Sequence, residues 1–372
     1  MKIVYVSDAV YPYNKGGKEK RLYELSTRLA AMGHDVHIYT MHWWKTPGAE
    51  RLEDGVHLHS ICKLYPLYNG DKRSIKEGIM FALACFKLFR VKFDVIDVDH
   101  MPFFPVFSTW IVCVLRGKKL HGTWHEALTT KDWTSYMGKS GYIAAVIERA
   151  SIKLPYKITA ASGQTKKIIA TYHKRTKRMG LVASGIDTKL IASVEPAKAA
   201  CDVLYIGRLV KDKNVDKLVD AFAIVAAKDP QAKCVIIGHG VEKANLQKQI
   251  TELGLTKRID LLAPLPEASE VYSYMKRAKV FVLPSVREGF GIVALEALAC
   301  NAPVVTVDAP ANAAKDLIVE DKNGSIVPLK AQDIATAILI WLDRSPTLHV
   351  ADEMAQHDWD VLAKRQTEVY AL

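Results

Sequence analysis

The chain has 372 residues, 49% of them hydrophobic and 24% charged; that is long enough for two ordinary domains with separate cores and too apolar for global disorder. Six cysteines, Cys62, Cys85, Cys113, Cys201, Cys234 and Cys300, stand singly with no C-x-x-C pair, which excludes a disulfide scaffold and a cysteine zinc site and suits a reducing compartment. The net charge of +11 is unevenly shared: residues 1–190 carry 30 Lys and Arg against 16 Asp and Glu, net +14, and the remainder 21 against 24, net −3. A basic half suits a negative partner, whether nucleic acid, an anionic membrane surface or a phosphate-bearing substrate, and it also serves solubility.

Met1-Lys2-Ile3-Val4-Tyr5-Val6 enters directly on a strand, expected over Lys2–Ser7, so no signal peptide is read and a cytoplasmic location is expected. Gly16-Gly17 follows that strand and precedes a helix with Leu22, Leu25, Leu29 and Met32 on one face and Gly33 as its C-terminal stop. By itself Gly16-Gly17 is a weak phosphate-loop signal, since it is neither G-x-G-x-x-G nor a Walker sequence. A strand follows at Asp35–Met41. Arg73, Lys76, Lys87, Arg90 and Lys92 then flank apolar Ile75, Ile79, Met80, Leu83 and Phe86. This pattern fits an amphipathic helix on an anionic membrane surface, or a basic helix with its apolar face on the core. Val95–Val98 is the next strand, and Asp97-Val98-Asp99 reads as the end of a core strand rather than a metal-binding loop. Met101–Leu115 is apolar but broken by Pro102, Pro105, Ser108 and Thr109, and a membrane span needs about 20 apolar residues, so it reads as buried core. His121-Gly122-Thr123-Trp124-His125-Glu126 follows another strand, where a histidine can serve a ligand or simply the core. Lys157–Ala160 is a further strand.

The pattern restarts after Val182–Ala200. Val203–Ile206 is a strand, Val215, Leu218, Val219, Phe222 and Val225 form a helical apolar face, and strands follow at Cys234–Ile237, Ile259–Leu262, Val280–Leu283 and Val304–Val307. Short strands alternating with helices mean parallel sheets covered on both faces. The expected fold is therefore α/β with two Rossmann-like, doubly wound domains, 1–190 and 191–356, with a last helix over 357–372 returning to the first. Ligands of such sheets bind beyond the carboxyl ends of the strands, and two facing sheets make the intervening cleft the expected site.

Two segments at strand ends carry the most chemistry. Ile206-Gly207-Arg208 with Lys211-Asp212-Lys213 offers a planar cation, Arg208, and a point charge, Lys213, for a diphosphate. Ordinary surface basicity competes with that reading. Glu288-Gly289-Phe290-Gly291-Ile292, with Glu296 further on, opens an apolar helix. Its glycines allow close backbone approach, its N-terminus favours phosphate or sugar oxygens, and its carboxylates can accept from hydroxyls. The same spacing fits an N-cap glutamate followed by a solvated one. Gly238-His239-Gly240 reads as a plain turn. No H-E-x-x-H, no other metal-ligand spacing, no G-x-S-x-G elbow and no nucleic-acid motif is present, so neither a resident metal nor a nucleic-acid partner is expected.

Taken in order, these motifs resemble those of the retaining glycosyltransferases of the family-four group, with the two-domain GT-B fold, over nearly the whole chain. The matching series is Gly16-Gly17, Thr123-Trp124-His125-Glu126, Ser184-Gly185-Ile186-Asp187 in place of the family's NGVD turn, Tyr205-Ile206-Gly207-Arg208 with Lys213, Ile237-Gly238-His239-Gly240, and the paired glutamates Glu288 and Glu296 beside Gly289-Phe290-Gly291. The resemblance implies a metal-independent hexosyl transfer from a UDP- or GDP-linked sugar to a glycan or lipid-linked acceptor held by the basic N-terminal half. No separate cofactor is implied. Peripheral attachment to the cytoplasmic face of a membrane is an expectation that rests on the basic amphipathic segment alone, with a helix packed on the core as its alternative. Arg208 and Lys213 would stabilise the departing diphosphate, with Gly207 in the same turn. Glu288 would hold sugar hydroxyls beside Gly289 and the N–H groups of Phe290, Gly291 and Ile292, and Glu296 the ribose. His125 would touch the donor sugar, and Gly16 and Gly17 would close on the phosphates. The chain departs from the family at Ser184 and at Ala309-Pro310-Ala311-Asn312-Ala313-Ala314, where the family often has a Gly-Gly. Other readings are a sugar-nucleotide epimerase on the same fold, a non-catalytic nucleotide-sugar binding protein, and an NAD-dependent dehydrogenase, which the missing G-x-G-x-x-G disfavours.

Overall fold

The structure is a computed structural model that describes residues 1–69, 72–173, 176–344, 348 and 354–371. Residues 70, 71, 174 and 175 of the expected first domain, 345–347 and 349–353 of the expected second and Leu372 of the expected last helix lie outside the described residues. The chain divides into two compact units, one running from Met1 to Ser184 and resuming at Trp359, the other Gly185–Asp358.

The first unit is built on an eight-stranded sheet in the order Met179–Leu181, Lys157–Ala160, Leu120–Trp124, Val95–Asp99, Lys2–Val6, Asp35–Met41, Val56–Cys62, Glu50–Glu53. Neighbours are parallel except the last pair. That pair is a hairpin turned by Asp54-Gly55, both with positive φ, the conformation an Asp-Gly hairpin turn requires. Alternation along the central strand explains the layering. Val4 and Val6 join Ile96 and Val98 in one core, while Ile3 and Tyr5 join Val36, Ile38 and Val95 in another. Side chains of a strand point alternately to its two faces, so both faces of this sheet are buried. Helix Gly17–Ala31 buries Leu22, Leu25 and Leu29. It ends where Gly33, at φ +86, donates to Ala30 O and His34 to Leu29 O, a Schellman closure that needs the left-handed glycine. Met32 caps that helix and stays exposed, and the first strand ends at Val6 rather than Ser7.

The last helix, Trp359–Ala371, packs on this sheet. Tyr370 Oη donates to Asp97 Oδ2 at 2.7 Å, Lys157 Nζ to Val369 O at 3.1 Å and Gln366 Nε2 to Thr159 Oγ1 at 3.3 Å.

The second unit holds a six-stranded parallel sheet in the order Ile259–Leu262, Cys234–Ile237, Val203–Ile206, Val280–Leu283, Val304–Val307, Gly324–Val327. Its strands are near-continuous apolar runs because helices cover both faces. The unit boundary falls earlier than the expected 190/191. Residues 185–190 belong here because Ile186 N donates to His357 O, Thr188 Oγ1 donates to the Asp358 carboxylate, and Ile186 lies in this unit's core. Asp187 N-caps the helix Thr188–Ser193 by accepting from Leu190 N at 2.9 Å. For the same reason the returning helix starts at Trp359, not at residue 357.

Candidate functional site

In the second unit the strand order reverses between Val203–Ile206 and Val280–Leu283, and the loops beyond these two strands splay apart at such a point to leave a crevice. Both motif segments sit there. After the first strand, Tyr205 folds back so that its buried hydroxyl donates to Arg208 O at 2.9 Å. A Cβ on Gly207 would lie 2.7 Å from that hydroxyl, so the glycine admits the tyrosine while Arg208 stays exposed. The neighbouring Gly238 allows a similarly close approach: its Cβ would fall 2.0 Å from Gly207 O. Lys211–Lys213 is a single 3₁₀ turn closed by Asn214 in the left-handed conformation, and Asn214 Nδ2 donates to Pro284 O at 3.2 Å. Val286 N donates to Asp212 O at 3.2 Å. The two loops are thus tied together below the site.

Above that tie, Lys213 Nζ lies 2.6 Å from Glu288 Oε1 and donates to Arg287 O at 3.2 Å. Both side chains are mostly buried, at 12% and 15% exposure, so the contact is held by its surroundings and not by chance surface pairing. Arg287–Glu288 forms a short parallel pair with Ala311–Asn312. Asn312 is fully buried and donates to Thr306 Oγ1 and Val307 O. The Ala309–Ala314 segment, where the chain departs from the family pattern, therefore carries the backbone of Glu288. Gly289 and Phe290 complete the turn, with the Phe290 ring 5.9 Å from that of His357. Gly291 then caps helix Ile292–Ala299 at φ +85, and a Cβ there would meet Ala314 Cβ at 2.4 Å. Only glycine serves that position. The helix opens with N–H groups that lack intrahelical acceptors, beginning at Ile292, beside a cation and a carboxylate. Glu296 is largely buried, and its Oε1 accepts from Tyr272 Oη at 3.1 Å. No local pattern marks Tyr272, which reaches Glu296 from a preceding helix.

The corresponding reversal in the first unit lies between Lys2–Val6 and Val95–Asp99. Gly16 is the extended N-cap and Gly17 the first residue of the helix, so the expected loop of two glycines is a loop of one. A Cβ on Gly16 would lie 2.3 Å from Glu19 Oε2, which shows how closely the Glu19 carboxylate folds onto the start of its own helix. His125 follows the strand Leu120–Trp124, and its Nε2 lies 2.9 Å from Asp99 Oδ1. Lys18 joins these parts. Its ammonium donates to Asp8 Oδ1 and sits 3.5 Å from Asp99 Oδ2. Arg73 also pairs with the fully buried Asp8 and lies 4.0 Å from Glu77. Burial, followed by the charge of Asp8, pushes Glu77 up to about 8. Burial would also raise Asp99, but the Lys18 charge and the hydrogen bond from His125 hold it well below the usual carboxylate range. Burial lowers His125 despite Asp99, so the ring is neutral near pH 7.

Arg73 is accordingly not part of an exposed basic helix but of this internal network. The rest of that segment forms helix Ile75–Ala84 and a 3₁₀ stretch, Cys85–Arg90. Phe81, Cys85 and Leu88 face the core, whereas Ile75, Ile79, Leu83 and Phe86 are exposed. Lys76 and Arg90 are exposed beside them, and Lys87 donates to Ile61 O. Of the apolar residues singled out in the sequence, Ile75, Ile79, Leu83 and Phe86 thus point outward, and Met80 is half-buried. Helix Phe104–Leu115, packed beside this segment, exposes Val114 and Leu115 as well. Among the described residues, no helix is long and apolar enough to cross a membrane, and no group of three His, Cys, Asp or Glu is placed to hold a metal ion.

Comparison with known proteins places the chain. Residues 15–190 match the family model Glycosyltransferase Family 4, and residues 188–358 match Glycosyl transferases group 1. The chain is 24% identical to the GDP-mannose:cellobiosyl-diphosphopolyprenol alpha-mannosyltransferase of Xanthomonas campestris over 83% of this chain and 79% of that protein. It is 35% identical to the capsular polysaccharide biosynthesis glycosyltransferase CapM of Staphylococcus aureus, over 33% of this chain and 31% of that protein. Anabaena Alr3699/HepE in complex with UDP-glucose superposes with a TM-score of 0.75 at 17% identity, covering 100% of this chain and 99% of that one. The chain belongs to the family-four group of glycosyltransferases, has the GT-B fold, and transfers sugar from a nucleotide-sugar donor.

Proposed function

We propose that this enzyme moves a hexosyl unit from a UDP- or GDP-linked sugar to a glycan or lipid-linked acceptor, with retention at the anomeric carbon and without a resident metal. The observation that carries this reading is the Lys213–Glu288 pair, held beside a helix N-terminus where two strand-end loops separate. A cation, carboxylate acceptors and helix N–H groups side by side are the chemistry that the phosphates, hydroxyls and developing negative charge of a glycosyl diphosphate call for, and this supports the reading. In the reaction, the bond from the anomeric carbon to the phosphate oxygen breaks. The acceptor oxygen attacks from the same face, and its proton leaves on the departing phosphate. Arg208 and Lys213 stabilise the charge that develops on the leaving group, the kind of preorganised electrostatics worth about 10²–10³-fold in rate per donor. Glu288 accepts from sugar hydroxyls, Glu296 takes the ribose, and Gly16, Gly17 and His125 serve the donor from the first unit. The donor takes the place of the Lys213–Glu288 contact, so each partner exchanges a protein charge for a substrate group.

A lipid-linked acceptor is favoured by the outward apolar face of Ile75–Phe86 and its basic neighbours, a composition suited to lying on anionic lipid at the cytoplasmic face. The relative from Xanthomonas campestris, named for a diphosphopolyprenol acceptor, supports the same choice. The first test is a thermal-shift screen with UDP, GDP, ADP, their common sugars and NAD. Binding raises apparent stability by about 2.7 kcal/mol at a hundredfold excess over Kd. A shift with one nucleoside-diphosphate family, followed by acceptor-dependent release of that diphosphate, supports the reading. Conversion of the nucleotide sugar without any acceptor indicates an epimerase instead, and binding without turnover a non-catalytic protein. Flotation with anionic vesicles tests the surface, and binding indifferent to salt or to lipid charge rules it out.

A further inference from the structure

We propose that Asp99 and Lys18 are positioning residues that fix the tautomer of His125, leaving its Nδ1 as a hydrogen-bond acceptor and so selecting a donor sugar that offers a hydroxyl to that nitrogen. The inference rests on the transferase reading above for what is bound, but its geometry belongs to the first unit alone. His125 Nε2 is 2.9 Å from Asp99 Oδ1. An ionised carboxylate only accepts, so Nε2 carries the proton. In a neutral imidazole Nδ1 must then be the lone-pair nitrogen. Asp99 stays ionised because Lys18 Nζ stands 3.5 Å from its other oxygen, and Lys18 is itself anchored on Asp8 Oδ1 and within 3.4 Å of Ser7 Oγ and Met101 O. The His125 side chain keeps 15% of its surface open, and Nδ1 has no partner among the described residues. Because Lys18 directly follows Gly16-Gly17, one ammonium links the position of that glycine turn to the orientation of the histidine ring.

The consequence for substrate is chemical. A hydroxyl donates to the Nδ1 lone pair, whereas a fluorine or a carboxylate oxygen at the same place sets acceptor against acceptor. Asp99→Asn should abolish this preference, because a hydroxyl and a fluorine can both face an Nδ1–H donor. Lys18 draws the amide oxygen, which turns the amide NH₂ toward Nε2, and the imidazole proton must then move to Nδ1.

The test uses the full-length chain labelled with ¹⁵N-histidine and observed without substrate, with His125 resonances identified by their loss in His125→Gln. We expect the Nε2–H tautomer in the wild type and the Nδ1–H tautomer in Asp99→Asn. With the active nucleotide sugar and its 3-, 4- and 6-deoxyfluoro analogues, we expect one position at which the wild type prefers hydroxyl over fluorine by tenfold or more, and at which Asp99→Asn loses that preference. Wild-type His125 as the Nδ1–H tautomer, an unchanged tautomer in the variant, or a fluorine preference that Asp99→Asn leaves intact would each overturn the proposal. Should Asp99→Asn not fold, the wild-type tautomer together with Lys18→Met, which removes the charge but keeps the stem, decides it: a hydroxyl preference that Lys18→Met leaves untouched counts against the linkage. Because the tautomer is read without substrate, failure of the transferase reading would appear separately, as absent turnover with His125 still in the Nε2–H form.

Discussion

The two units place the side chains proposed for donor binding at the same topological feature, a reversal of strand order, yet arrange charge there in opposite ways. In the first unit the charges are turned inward. Asp8 is fully buried between Lys18 and Arg73, Glu77 is buried behind them, and Asp99 is shared by Lys18 and His125. In the second unit the strand-end loops hold Lys213 against Glu288, with Arg208 exposed beside them. Buried charges must be compensated by the protein itself, so the first network is chiefly a scaffold for one imidazole. The second pairs Lys213 with Glu288, the contact that the proposed donor would replace.

The contrast breaks most visibly at Asp8. Asp8→Ala would strand two cations in the interior, and losing one member of a buried pair costs about 3–5 kcal/mol; denaturant unfolding should show a loss on that scale. Lys213→Ala and Glu288→Ala should act chiefly on function, lowering transfer about 10²–10³-fold, with a fall in Tm smaller than that of Asp8→Ala because both side chains of this pair keep some contact with solvent and circular dichroism unchanged. Full activity in either variant would contradict the site assignment. Gly291→Ala lies between these outcomes. It forces a left-handed residue and a clash with Ala314, at a cost of about 1–3 kcal/mol, and it should weaken nucleotide-sugar binding in the same thermal-shift assay. Glu77 sharpens the comparison through pH. Its folded value of about 8 exceeds its usual 4.5, so the native state holds an extra proton between them. The stabilisation it provides is complete below about 4.5 and is lost as pH rises through about 8. Wild-type Tm should therefore fall relative to Glu77→Gln between pH 5 and pH 8.5, and parallel curves would exclude the neutral carboxyl. The smallest effect on the fold is expected at Ile79→Asp, whose exposed side chain leaves stability within about 0.5 kcal/mol while vesicle binding drops.

What the sequence made legible follows the range of the interactions. Parallel strands announce themselves as apolar runs, and Gly33 marks a helix end because its role depends on neighbours one turn away. The Gly291 turn and the spacing of Glu288 and Glu296 are equally local. Contacts made across the fold are a different matter. Arg73 looks like one of several surface cations until the structure places it on Asp8, 65 residues earlier. Asp97 and Asp99 share a face by strand periodicity, a signal available in the sequence, but nothing local says that one meets Tyr370 and the other His125. Tyr272 beneath Glu296 and Asn312 beneath Glu288 were hidden for the same reason. The apolar residues of Ile75–Phe86 have a helical period, but period alone does not decide whether a stripe faces the core or the solvent.

The returning helix bears on how this protein is made. The second unit is one unbroken stretch of chain, so it can complete its core soon after leaving the ribosome. The first unit cannot. Its sheet is synthesised early, yet Tyr370, which bonds Tyr5 and Asp97, arrives only after the whole second unit has been translated. Until then the buried hydroxyl of Tyr5 and the carboxylate of Asp97 lack their partner, and the nascent first unit exposes the surface that Trp359–Ala371 will cover. Order of synthesis and order of completion are therefore reversed, and the unit made first is the one finished last.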